Sequence, residues 1–241
     1  MTRKGSDGMR FWFWVAILLI IFGGAAIVEA ASESFTTFVD RHVTWYGQSE
    51  LKITSESGEV LYIDPLRLPQ RPQAADLILV THEHGDHYNE SVIQSLSKSG
   101  TTVIVPETMA KPGRRGLAIG QTVRIGAFQV TALPAYNTNK AFHPREKRWV
   151  GYLVEVDGVK LYHAGDTDFI PEMKGLGPDI AFLPVGGTYT MTAEEAAEAA
   201  AALQAKLVIP MHYGTIVGKK EDGPRFAGLV KGEAKVLSIT E

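Results

Sequence analysis

The sequence contains no cysteine. Disulfides are therefore excluded, and so is any metal site built on thiolates, which leaves imidazole and carboxylate as the available metal ligands. Nor is there an excess of charge of either sign, with 24 Lys and Arg against 27 Asp and Glu. Without residues 1–30, which hold Arg3, Lys4 and Arg10 against Asp7 and Glu29, the balance is 21 basic to 25 acidic groups. A body so near neutrality, and slightly acidic, has no electrostatic reason to bind nucleic acid. No repeat or low-complexity block interrupts the chain, and 241 residues at 45% hydrophobic are enough for one domain with a full core.

Long apolar runs are scarce, with one exception. Arg3, Lys4 and Arg10 precede "FWFWVAILLIIFGGAAIV", Phe11 to Val28, and the polar "EAASES" follows it. These eighteen residues exceed the roughly 7–15 of a signal-peptide core and approach the roughly 20 needed to span a bilayer. Residues 1–30 are thus expected to be an N-terminal membrane anchor or, with Val28-Glu29-Ala30 as a cleavage site, a signal peptide. In either case the positive flank stays inside and the remainder is exported. Residues 31–41 read as a tether, and residues 42–241 as the folded domain.

Short apolar runs separated by turn signals fill that domain, and they read as strands: "HVTWYG", "EVLYID", "LILV", "TVIV", "TVRI", "FQVTAL", "GYLVEV", "VKLYHA", "IAFLPV", "LVIPM" and "KVLSI". Asp157-Gly158 between two of them suits a tight hairpin turn. One helix is expected from Asn89 to Gly100, with Val92, Ile93 and Leu96 inward. Another starts at Thr192, where Glu195 completes a capping box. Many strands with few helices predict an α/β layered fold, two sheets packed together with helices outside.

The chain has seven histidines, and three stand in "THEHGDHY", which presents His82, His84, Asp86 and His87 within six positions. Crowded imidazoles repel once protonated, so a metal is the reason for such a cluster. Three strands end in potential ligands: "LILV" in the histidine cluster, "KLYHA" in Gly165-Asp166, and "LVIPM" in His212. Loops leaving one sheet edge can bring such residues together. Imidazole with carboxylate suits zinc first, then manganese or iron, as one or two ions. His42 and His163 are assigned no role, and Glu83 alternates away from the ligands. Asp64, in "IDP", is placed either to orient a ligand imidazole or to cap a turn.

His82-x-His84-x-Asp86-His87, the aspartate of "GDT" and a late histidine after a strand resemble the metallo-β-lactamase fold superfamily over about residues 42–241. Within it, "WYGQSE", "LYIDP", "YHAGDTD", "LPVGGTYTM" and "IPMHYG" are similar to the metal-dependent hydrolases related to ascorbate 6-phosphate lactonase. The resemblance implies an αββα sandwich of two mixed β-sheets with helices on the outer faces. It gives His82 and His84 to a first metal, Asp86, His87 and His212 to a second, and Asp166 to both. Asp86 and Asp166 are then the catalytic carboxylates, and two metals sharing a water would generate the nucleophile for a small ester, lactone or phosphoester. A metallo-nuclease and a non-catalytic metal-binding module are the alternatives on this scaffold.

The chain departs from the family pattern where Asn137 stands at the position of the first metal's remaining histidine. His143, six residues later, is expected to fold back and complete that site, leaving Asn137 to contact substrate and Lys140 to approach the same space. Lys140, Arg145, Lys147 and Arg148 form a basic patch in "NKAFHPREKR". It is either a solvated loop face or, through Lys140, Arg145 and Arg148, a grip for a phosphate or carboxylate on an anionic small-molecule substrate.

Overall fold

The apolar runs resolve into two sheets. The computed structural model describes residues 1–2 and 34–241. Helix α1 (Phe35–His42) leads into β1 (Val43–Trp45), β2 (Leu51–Thr54), β3 (Val60–Ile63) and β4 (Ala75–Leu79), followed by α2 (Glu90–Leu96), β5 (Ser97–Pro106) and β6 (Arg115–Leu117). These six strands lie in chain order in one mixed sheet, antiparallel from β1 to β3 and parallel from β3 to β6. The second sheet holds β7 (Thr122–Ile125), β8 (Phe128–Pro134), β9 (Val150–Val156), β10 (Val159–His163), β11 (Ile180–Pro184), β12 (Leu207–Met211) and β13 (Glu233–Ala234). It is antiparallel from β7 to β10 and parallel from β10 to β13. Helix α3 (Ala193–Leu203) crosses from β11 to β12, and α4 (Asp222–Leu229) from β12 to β13.

Side-chain alternation along the strands explains the layering. Leu61 and Ile63 of β3, Leu77 and Leu79 of β4 and Ile104 of β5 join Phe128, Val130, Tyr152 and Val154 of the second sheet in one core. Their neighbours Tyr62, Ile78, Val80, Val103 and Val105 face the other way and pack with Val92, Ile93 and Leu96 of α2. On the second sheet, every residue of β11 and β12 is buried, and the inner face of α3 is Ala193, Ala196, Ala199, Ala200 and Leu203, mostly small side chains that let a helix lie close to strands. The result is the αββα sandwich. Each fully buried leucine or isoleucine of the core contributes about 1.5–3 kcal/mol.

Local signals are realised where they are chemical. Thr192 Oγ1 accepts from the Glu195 N–H at 3.2 Å, and the Glu195 carboxylate accepts from the Thr192 N–H at 2.8 Å. Asp157 and Gly158 both have positive φ, 51° and 78°, in the turn between β9 and β10. Asn89 Oδ1 caps α2, but that helix ends at Leu96, not at Gly100, because Ser97 is already extended and opens β5.

Of residues 31–41, expected to form a tether, residues 34–41 are described. Ser34 caps α1, and Phe38 and Val39 are buried in the main core, so the described part of that stretch, residues 34–41, is folded. The expected strand "KVLSI" is not one; the two residues before it, Glu233–Ala234, pair with β12 as β13. The apolar run Phe11–Val28, and the anchor or signal peptide read from it, lie outside the described residues. Among the described residues no helix is long and apolar enough to cross a membrane.

Candidate metal centre

β4 is held between parallel neighbours on both sides, so the segment leaving its C-terminal end starts from a fixed point. Asp64, at the end of β3, locks that segment. It is fully buried at φ 48°, and its Oδ1 accepts from the Thr81 N–H at 2.7 Å. Its Oδ2 accepts from Thr81 Oγ1 at 2.7 Å and from His87 Nδ1 at 2.8 Å. His87 is thereby fixed as the tautomer that turns Nε2 away from Asp64. Since the Thr81 hydroxyl spends its proton on Asp64, it accepts from His82 Nδ1 at 2.9 Å, and His82 likewise presents Nε2.

The second sheet supplies the opposite side. His143 follows β8, Asp166 follows β10 and His212 follows β12, in the left-handed region at φ 57° with its N–H donated to Gln48 O at 2.8 Å. Gly186 makes room for this turn, since a Cβ there would lie 2.4 Å from the His212 carbonyl oxygen. Asp166 Oδ2 is 3.2 Å from His143 Nε2 and 3.0 Å from His212 Nε2, and Oδ1 is 3.4 Å from His87 Nε2. Asp86 Oδ2 lies 3.5 Å from His87 Nε2 and 3.6 Å from His212 Nε2.

Ligand atoms cluster within 4.8 Å of one another in three groups: His82, His84 and His143; His82, His87 and Asp166; and Asp86, His87 and His212. His87 Nε2, His143 Nε2, His212 Nε2 and Asp166 Oδ1 are buried without a hydrogen-bond partner. So many orphaned polar atoms aimed at one space are costly unless a cation takes them. The residues therefore fit a divalent metal.

Electrostatics agree. Burial, with His87 nearby, drives His82 well below the usual histidine range, and burial together with His143 lowers His84, which keeps both imidazoles neutral with a lone pair to give. Burial opposes ionisation of Asp166 and Asp86, yet His212 and His87 outweigh it and hold both carboxyls well below their usual range. Burial also disfavours charge on His87 and His212, but Asp166 outweighs it and raises both. The pocket thus attracts positive charge, and a metal would replace those protons.

The Beta-lactamase superfamily domain matches residues 42–212. The chain is 36% identical over 215 residues to a UPF0173 metal-dependent hydrolase of Methanosphaera stadtmanae, an alignment covering 79% of this chain and 92% of the relative. It belongs to that family of metal-dependent hydrolases. A Geobacillus relative of the same name is 34% identical over 223 residues, 83% of this chain and 97% of the relative. Among solved structures, a Parabacteroides distasonis protein superposes with a TM-score of 0.73 at 35% identity, covering 83% of this chain and 93% of that one. Igni18, a metallo hydrolase of Ignicoccus hospitalis, superposes at 0.67 with 26% identity, covering 83% and 95%.

In this hydrolase the basic residues stand apart from the ligands. Asn137, read from sequence as a substrate contact, is buried behind His143: its Oδ1 accepts from His143 Nδ1 and its Nδ2 donates to Asp168 Oδ1 and Tyr189 O, both at 3.0 Å. Lys140 pairs with Asp168 at 2.6 Å. Arg145 lies over the Tyr136 ring and pairs with Glu172 at 3.0 Å, and Arg148 pairs with Glu107. Both arginines line a separate cavity of about 490 Å³. Lys140, Arg145 and Arg148 thus each have a carboxylate partner, and none lines the cleft above the ligands.

Two contributors were not foreseen. Gln48 Nε2 donates to Asp86 Oδ2 at 2.8 Å while Thr215 Oγ1 donates to its Oε1 at 3.3 Å. Trp149, nearly buried, packs against His82, His84 and His143 with ring centroids 5.0, 4.8 and 5.7 Å away. The quoted "GQSE" turn signals a special backbone at Gln48, but nothing in the sequence ties Trp149 to the histidines.

Proposed function

We propose that this metal-dependent hydrolase cleaves a small ester, lactone or phosphoester at two adjacent metal positions, one held by His82, His84 and His143 and the other by Asp86, His87 and His212, with Asp166 serving both. The observation that carries the reading is that one oxygen, Asp166 Oδ2, lies 3.2 Å from His143 Nε2 in the first set and 3.0 Å from His212 Nε2 in the second. Zinc is the ion the donor set suits first, with manganese or iron next. When bound, such a metal supplies Lewis acidity and a water acidic enough to react near neutrality.

The chain's own residues do the positioning. Asp64 and Thr81 hold His87 and His82 with Nε2 forward, Asn137 does the same for His143, and Trp149 closes the rear of the first set against water. Asp86 and Asp166, held ionised, act as anionic ligands rather than as proton donors.

Elemental analysis of the purified chain should find one to two such ions, and chelation should abolish hydrolysis of a panel of lactones, esters and phosphodiesters. Asp86→Ala and His87→Ala should lower metal content together. A metal-free chain with full activity would end the reading.

The placement of the protein is part of the same proposal. The basic flank and apolar run of residues 1–30 support a domain exported and either membrane-anchored or released, acting on a small molecule and not on nucleic acid. Protease added to intact cells should digest the anchored form. Protection until lysis would reverse the orientation.

A further inference from the structure

The cleft above the ligands, about 620 Å³, has a floor and a rim of unlike chemistry. The floor is His84, Asp86, His143, Asp166 and His212, and the rim is chiefly Phe142, Tyr189, Ile216 and Val217. Eight large hydrophobic side chains are exposed among the described residues, and three of them, Phe142, Tyr189 and Ile216, stand on this one rim. They come from three different loops, after β8, β11 and β12, so their meeting is a product of the fold and not of one apolar stretch. Phe142 and Tyr189 meet edge to face, with centroids 4.7 Å apart and planes at 76°, which gives the rim a formed aromatic corner.

No lysine or arginine lines the cleft. Lys140, on the same loop as Phe142, is held by Asp168. An adjoining cavity of about 770 Å³ shares Thr188 and Gly218 with it, and there Lys219 and Arg225 stand among Glu194, Glu221 and Asp222, with Arg225 paired to Glu194. The approach to the ligands is thus lined by apolar side chains, and of the cations around it Lys140 and Arg225 are paired with carboxylates. Apolar side chains left in water beside a polar floor of this size gain by covering, and the ligand that covers both is amphiphilic.

We propose that the substrate is a neutral ester or lactone carrying an apolar arm, an acyl chain or aromatic ring, seated against Phe142, Tyr189 and Ile216 with its carbonyl over the ligand floor. This rests on the hydrolase reading above. The reaction adds water across the acyl C–O bond: the water oxygen bonds to the carbonyl carbon, the bond to the leaving oxygen breaks, and one water proton ends on the released alcohol while the acid product gives up the other. Each added methylene on a seated arm improves transition-state binding about threefold to fourfold, until the rim is covered.

The test uses the full chain, metal-loaded, in lipid nanodiscs with empty discs as control. Hydrolysis of neutral p-nitrophenyl acetate, butyrate and hexanoate is compared with that of the mono-p-nitrophenyl ester of adipate, which matches hexanoate in length but ends in a carboxylate. Binding of acetohydroxamate and hexanohydroxamate is followed by calorimetry, independently of turnover. The expected result is kcat/KM at least about tenfold higher for hexanoate than for acetate or the adipate monoester, and a similar ratio for the hydroxamates. The double variant Phe142→Ala, Ile216→Ala, which alters exposed side chains, should bring both ratios below about threefold. A flat ester series, or preference for the adipate monoester, overturns the apolar arm and leaves the hydrolase standing. Hydroxamate ratios that hold in the wild type and collapse in the variant, with no ester cleaved, overturn ester hydrolysis and keep the apolar subsite. No hydrolysis together with equal hydroxamate binding removes both.

Discussion

Asn137 Oδ1 accepts from His143 Nδ1 at 3.1 Å and from the His143 backbone N–H at 2.9 Å, so the amide that stands where relatives are expected to place a histidine has become the support of the histidine that replaces it. The amide is itself oriented by Asp168 and the Tyr189 carbonyl. Asn137→Ala should therefore weaken metal binding at the first set by about 10–100-fold, as loss of a ligand's hydrogen-bond partner does, while His143→Ala should remove that site's metal. Competition with a chelating dye measures both. Full affinity in Asn137→Ala with lost turnover would instead place Asn137 against the substrate.

Gln48 occupies the left-handed region at φ 47° and ties together the second set, through its side chain to Asp86 and its backbone carbonyl to His212. Gln48→Asn keeps a residue that tolerates this backbone but shortens the reach to Asp86. The metal at Asp86, His87 and His212 should then bind roughly tenfold more weakly, with the first set unaffected. Equal weakening of both sets in the same dye titration would show a general loosening instead.

Metal binding should release protons. His87 and His212 are raised above the ordinary histidine range against the cost of their burial, chiefly by Asp166, and a metal must displace what they carry. Affinity should fall as pH drops from 8 to 6, and calorimetry in buffers of different ionisation enthalpy should show net proton release. Identical apparent enthalpies in all buffers would refute the linkage.

Glu50 offers a pH effect on stability away from the ligands. Burial pushes its carboxyl up to about 7, although the Leu66 and Arg67 N–H groups donated to Oε2 pull the other way. The folded protein then keeps a proton that the unfolded chain, near 4.5, has released. This contribution is fully present below about pH 4.5 and is lost as pH rises to about 7, up to about 3 kcal/mol. Glu50→Gln keeps an acceptor oxygen and removes the titration, so the Tm of wild type relative to the variant should fall between pH 5 and 7.5. Parallel curves would contradict it.

Much of the fold could be read because alternation in β3, β4 and β5 sorts residues between the two faces of a sheet, and because caps such as Thr192 with Glu195 act over three residues. The short β2 and β6 carry too little pattern to stand out, and α1 was hidden because "FTTFVDRH" offers only Phe38 and Val39 to the core. The same limit applies to the centre. Ligand types at strand ends are visible as letters, and the structure gathers His82, His84, Asp86, His87, His143, Asp166 and His212. What orients them is not visible: Asn137 behind His143, Gln48 beside Asp86 and Trp149 beneath three imidazoles depend on loops meeting across the sandwich. The partners of Arg145 and Arg148, Glu172 and Glu107, are invisible in the sequence for the same reason, being distant in it.

His82, His84, Asp86 and His87 hang from the first sheet, whereas His143, Asp166 and His212 hang from the second. An ion shared among them is a rivet through two layers. Its removal would loosen the seam between the sheets at the edge where those imidazoles and carboxylates meet without it. Exchange of amide hydrogens at the ends of β4, β10 and β12 would quicken there before the far side of the sandwich responds. Inactivation by a chelator would then be a mechanical event as well as a chemical one, and re-adding metal after that seam has opened would restore activity at the pace of the sheets closing again.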